Sequence, residues 1–76
     1  MKRFYKNAVV IEFEGGYGIE LDGRRIQTPR KSTFTVGARK VANAVAAEWA
    51  DQGDEIVVEN MPMLRLANTA IDMIAP

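Results

Sequence analysis

Two pairs of carboxylates are the first residues here whose types and spacing could do chemistry. Glu12 and Glu14 alternate at the end of residues 8–14, and Glu20 and Asp22 alternate in residues 17–22. Two carboxyl groups on one face can divide general-acid and general-base roles, or hold a divalent cation through oxygen. Alternation is also what the solvent side of a strand displays, and the dense loop spacing of a calcium site is missing. The chain has no histidine and no cysteine. It therefore lacks the commonest general base and metal ligand, a thiolate nucleophile and any disulfide. No catalytic residue, metal site or cofactor site is predicted.

Three other constellations remain. Gly15, Gly16 and Gly18 form a glycine-rich stretch, but it lies between two predicted strands. A phosphate-cradling loop needs its glycines between a strand and a helix N-terminus. Arg3, Phe4, Tyr5 and Lys6, with Arg24, Arg25, Arg30 and Lys31, could track a phosphate backbone while aromatic rings stack on bases. Against that nucleic-acid reading stands a pI of 6.2, far from a basic footprint. Trp49 lies on an apolar helical seam, with Glu48 and Gln52 on one flank of it a turn apart. It is predicted as a core residue with its indole N–H bonded to an acceptor, the alternative being a packing site against another domain or partner.

The elements that position these residues change character midway. Val9, Ile11 and Phe13 are predicted on one face of a first strand, and Tyr17, Ile19 and Leu21 on one face of a second. Gly15-Gly16 and Asp22-Gly23 supply the positive φ values of tight hairpin turns. Residues 24–28 return as a third strand that Pro29 ends, and residues 33–36 read as a short fourth. The second half is helical. Ala38, Val41, Ala42, Val45 and Trp49 share a face at 100° per residue, with Gly37 as N-cap and Gly53 as a left-handed terminator. Residues 54–58 read as extended. Pro62 opens a second helix, whose stripe is Met63, Leu66, Ala67, Ala70, Ile71 and Ile74, ending near Pro76. The predicted fold is α+β: an antiparallel meander sheet of three to four strands covered by two helices.

The chain has 76 residues, 47% hydrophobic and 26% charged, which suits one small globular domain. No apolar run approaches a membrane span, and the basic start lacks the apolar core of a signal peptide. No membrane insertion is expected. Ten basic and ten acidic residues cancel overall. Residues 1–40 hold nine of the basic and four of the acidic (9 − 4 = +5), and residues 41–76 hold one and six (1 − 6 = −5). The halves can attract each other, or the basic half can face an acidic partner.

Four blocks in order carry a resemblance to a known family. They are Arg3-Phe4-Tyr5-Lys6; Leu21-Asp22-Gly23-Arg24 with Thr28-Pro29; Ala42 and Ala46 with Glu48-Trp49 and Gln52; and Met61-Pro62 with residues 66–72. Together they resemble the N-terminal domain of the ATP synthase alpha-subunit assembly chaperones, the "ATP-twelve" family of mitochondria and α-proteobacteria. The chain departs from that pattern at Gly37 and Val58, where the family often has proline.

The resemblance implies a non-enzymatic assembly chaperone without a cofactor. It would bind the free alpha subunit of the catalytic head of F-type ATP synthase and prevent its aggregation before assembly. It also implies a bacterial cytoplasmic location (mitochondrial matrix for eukaryotic relatives) and a helical C-terminal domain beyond residues 1–76. The expected partners are the alpha subunit and that C-terminal domain, with no nucleic acid. Candidate partner or interdomain contacts are Arg3, Phe4, Tyr5, Glu48, Trp49, Gln52, Leu64 and Met73. The last two come from geometry. With Met63 at 0°, Leu64 falls at about +100° and Met73 at about −80°, so the apolar arc is wider than the roughly 100° stripe that a small sheet covers. One edge, through Leu64 or Met73, is predicted to seat another domain or chain, and self-association through this helix is expected.

Overall fold

The computed structural model describes residues 2–74, with Ile74 as backbone alone. The side chain of Ile74 and Pro76, expected at the end of the second helix, lie outside the described residues. The first three strands are β1 (Ala8–Phe13), β2 (Gly16–Leu21) and β3 (Arg24–Arg25), an antiparallel meander in the order β1-β2-β3. Asp22 and Gly23 make the second turn with φ of 51° and 89°, the positive pair that suits a two-residue hairpin. In the first hairpin Phe13 pairs with Gly16 around Glu14-Gly15.

That register corrects the expected face of β1. Val10 pairs with Ile19 and Ala8 with Leu21, and directly opposed residues share a face. Ile19 and Leu21 are buried, and Ala8 and Val10 pack against the same core, while Val9 is 46% exposed. The predicted trio Val9, Ile11 and Phe13 therefore lies on the outer face. Residues 8–11 are apolar at every position, so alternation alone cannot choose a face, and the tight turn chooses it. On the outer face the Arg25 guanidinium lies over the Phe13 ring at 4.4 Å. It crosses Gly18, where a Cβ would come within 2.6 Å of it.

The third strand is shorter than expected, and the expected fourth at residues 33–36 is reduced to isolated pairings. Past Arg25 the chain keeps isolated pairings: Gln27 with Thr33, and Tyr17 with Val36. The last closes the sheet against the start of β2, with Tyr17 N–H on Val36 O at 2.8 Å and Val36 N–H on Tyr17 O at 2.9 Å. Gly16 permits this approach, since a Cβ there would stand 2.5 Å from Val36 O. The curl buries Phe34 completely.

Two helices complete the fold: α1 (Arg39–Ala50) covers β1 and β2, and α2 (Pro62–Ile74), expected on the sheet as well, packs mainly against α1. Ala42, Val45, Ala46 and Trp49 form the buried face of α1. Ala38 in extended conformation, not Gly37, is its N-cap, and Gly53 is not among the positive-φ glycines. The expected left-handed stop is replaced by side-chain donors. A single bridge joins Lys2 to Glu55, and a 3₁₀ turn at Val58–Asn60 leads into α2.

The inward face of α2 also differs from expectation. Leu64 and Ala67 are buried with Met61, and Met63 and Ile71 pack partly against the core. Leu66 is 66% exposed and Met73 81%. The helix is rotated toward Leu64 because both its ends are held from outside. Glu48 binds the Met63 and Leu64 amides. Near the other end, the Thr28 hydroxyl donates to Asp72 Oδ1 at 2.6 Å.

Candidate interaction site

Six of the eight candidate residues meet at the end of α1. The last turn of a helix leaves carbonyls without intrahelical donors, and here side chains supply the donors. The Gln52 amide nitrogen donates to Glu48 O at 3.0 Å. The Tyr5 hydroxyl donates to Trp49 O at 2.6 Å. Arg3 Nη1 donates to Ala50 O at 3.3 Å and to Gln52 O. The guanidinium also reaches Tyr5 O at 2.9 Å and Lys6 O at 3.0 Å, and lies 4.6 Å from the Tyr5 ring centroid. A cation at this helix end also complements the dipole. Burial pushes the Tyr5 phenol above its ordinary value, opposed by the Arg3 charge.

Glu48 joins the two helices. Its carboxylate accepts from Met63 N–H and Leu64 N–H, each at 2.8 Å. Those are second and third residues of α2, where an N-cap side chain would otherwise bond. Pro62 has no donor to satisfy, so the orphan amides of this turn begin at Met63. Gln52 Oε1 accepts from Val57 N–H at 2.7 Å and so shapes the connection. Asp22 does similar work on the N-terminal segment. Its two oxygens accept from Lys6 N–H and Asn7 N–H, each at 2.9 Å. Those bonds hold its pKa below the ordinary carboxylate value.

These contacts sort the candidates. Tyr5, Trp49 and Gln52 are at most 8% exposed, so they are internal in this domain. Leu64 is buried at 4%, which corrects its expected place on an exposed edge. Trp49 is a core residue, but its indole nitrogen is buried without an acceptor, contrary to the expected hydrogen bond. Phe4 at 58% and Met73 at 81% remain at the surface. Leu66, read as core from periodicity alone, is exposed as well. The rotation that exposes it depends on Glu48, and no local pattern signals that.

The other constellations disperse. Glu12 lies 3.7 Å from Arg39 on an exposed surface, and Asp22 binds backbone. Among the described residues no group of three or more acidic side chains could hold a metal ion. The basic set is split. Arg25 lies across the outer face of the sheet and donates to Phe34 O, while Arg30 lies near Asp72 and Met73. Arg24 stays exposed beside Phe4, at a groove of about 310 Å³ walled by Leu21, Arg25, Ile26, Gln27 and Trp49. A separate hollow of about 310 Å³ on α2 is walled by Pro62, Arg65, Leu66 and Thr69. No described helix is long and apolar enough to cross a membrane.

Comparison with known proteins adds a family to this geometry. The model of the ATP12 chaperone protein family matches residues 2–76. The fold superposes on the crystal structure of Atp12 from Paracoccus denitrificans with a TM-score of 0.92 and 35% identity, over 99% of this chain and 32% of that one. A protein from Agrobacterium tumefaciens, described as a candidate chaperone, gives a TM-score of 0.91 and 41% identity, over 97% of this chain and 28% of that one. The chain thus spans about a third of the length of these proteins.

Proposed function

The chain belongs to the ATP12 chaperone family, and from that premise we propose that it acts in assembly of F-type ATP synthase by binding the free alpha subunit of the catalytic head. It covers a surface that beta subunits later occupy and so keeps the alpha subunit from aggregating. The observation that carries this reading is the family match across residues 2–76, backed by superposition at 35% identity on an Atp12 structure. The site supports a binding role over a catalytic one. Glu48 and Asp22 hold backbone amides, while Phe4, Leu66 and Met73 present apolar surface. Binding in the cytoplasm of a bacterium, without catalysis or cofactor, completes the reading.

The same reading makes this the N-terminal domain of a longer chaperone whose remainder is helical. The outward side of α2, through Leu66 and Met73, is the natural seat for that remainder or for a second copy. Exposed apolar stripes of this kind favour association.

Co-expression with the alpha subunit tests the proposal. The tagged chain is expected to co-purify with soluble alpha subunit and to lower its light scattering on dilution from denaturant. If neither this chain nor a form extended to the length of the relatives retains or protects the alpha subunit, the proposal fails.

A further inference from the structure

The N-terminal segment presents one large apolar side chain on a fixed backbone. Arg3 N–H bonds Asp54 O at 2.8 Å, and the Arg3 guanidinium reaches four carbonyls. The Tyr5 hydroxyl is tied to Trp49 O and the Lys6 amide to Asp22. Phe4 lies between these anchors, its ring edge-on to Tyr5 at 5.3 Å, yet more than half of it faces solvent. The groove beside it has apolar walls from Leu21, Ile26 and Trp49, and Arg24 at its rim. A second hollow of about 350 Å³ continues it past Asp22, sharing Phe4, Leu21 and Arg24.

The charge at this rim is one-sided. The Arg24 side chain is exposed and, among the described residues, has neither a carboxylate partner nor a hydrogen bond. The acidic neighbour in the lining, Asp22, has both oxygens on backbone amides. An aromatic ring and an arginine on a pre-ordered backbone are the usual carriers of binding energy at interfaces, because little is lost in ordering them.

We propose that this groove docks an extended protein segment in which a large apolar side chain is flanked by a carboxylate. The apolar side chain packs against Phe4 and over the Leu21, Ile26 and Trp49 walls. The carboxylate meets the Arg24 guanidinium, whose planar donors match it. A phosphate backbone fits less well: Arg25 also lines the groove, but its guanidinium is engaged by Phe34 O and the Phe13 ring, so of this described lining Arg24 alone offers an unengaged guanidinium, where a strand of phosphates needs a track. The identity of the segment's owner rests on the chaperone reading above; the chemistry of the groove does not.

Trp49 is the sole tryptophan and lines the groove, so its emission reports occupancy. The probe is a capped peptide, Gly-Glu-Phe-Glu-Leu-Gly, with Gln replacing both Glu in one control and a twelve-residue oligothymidylate as another. We expect a saturable emission change with the acidic peptide. Phe4→Ala should weaken it about tenfold or more, and Arg24→Glu, or the Gln peptide, about fivefold. Both variants should keep the wild-type circular dichroism, since both side chains are exposed. The proposal is overturned if the acidic peptide gives no saturable response, if both variants bind it as wild type does, or if the oligothymidylate binds as tightly. The alpha-subunit scattering assay separates the two readings. Protection by wild type and equally by the Phe4→Ala, Arg24→Glu double variant sinks the groove as a client site and leaves the chaperone role. Peptide binding without protection does the reverse.

Discussion

The end of α1 and the outer side of α2 use similar residues to opposite ends. Around the end of α1, polar groups close on one another: three successive carbonyls, from Glu48 to Ala50, accept from Gln52, Tyr5 and Arg3. The outer side of α2 exposes Leu66 and Met73 beside Arg65 and Thr69, with Pro29 and Arg30 near Met73. Arg3, Tyr5, Glu48, Trp49 and Gln52 of the first region and Leu66 of the second lie in the blocks that resemble the family. Shared membership in a motif therefore says little about role; the first region builds the domain and the second stays exposed.

The sharpest way to break this contrast is Trp49→Ala. Truncating a large aromatic in a core costs about 3–5 kcal/mol, and a small domain has little more in total. The variant is expected to be largely unfolded by circular dichroism. A folded Trp49→Ala would move the end of α1 into the class of contact surfaces.

Glu48→Ala comes next. Loss of a capping carboxylate costs about 1–2 kcal/mol, and here it also frees the rotation of α2. Hydrogen exchange at the Met63 and Leu64 amides should accelerate while that of α1 changes little. Unchanged protection at those amides would contradict the cross-helix cap.

Asp22 sharpens the comparison through pH. Its folded pKa lies below the ordinary 3.8 because Lys6 and Asn7 amides favour the charged form. The stabilisation is thus present above 3.8 and is lost as pH falls through the lower folded value. The urea midpoint should drop on acidification below pH 3.8, and Asp22→Asn should flatten that part of the profile. An identical acid profile in the variant would remove Asp22 from the clasp.

The smallest effect on stability belongs to the outer side of α2. Leu66→Lys or Met73→Lys should shift stability by no more than about 0.5 kcal/mol. The same changes should reduce self-association in sedimentation. A large loss of stability would mean that these side chains are buried after all.

Much of the fold was legible because its signals are local. Asp22-Gly23 demands a tight turn, the apolar seam of α1 repeats at helical period, and Pro62 opens α2. Of the site, the blocks themselves were legible as a family likeness, and Trp49 as core. The work done by Arg3, Glu48 and Asp22 was not. Each bonds backbone groups 15 to 49 residues away, and a backbone amide or carbonyl carries no mark in the residue letters.

The class of the fold, the order of its elements and the family likeness are readable from the residues in order, because hydrophobic period, turn residues and motif spacing are properties of neighbours along the chain. Tertiary structure decided which face of each element turns inward. In β1 every residue from Ala8 to Ile11 is apolar, so register against β2 made the choice. In α2 the apolar arc is half the circumference, so the Glu48 carboxylate at one end and Thr28 near the other set the rotation. That rotation buries Leu64 and exposes Leu66. A pattern wider than the surface it covers leaves its orientation to contacts made elsewhere in the chain.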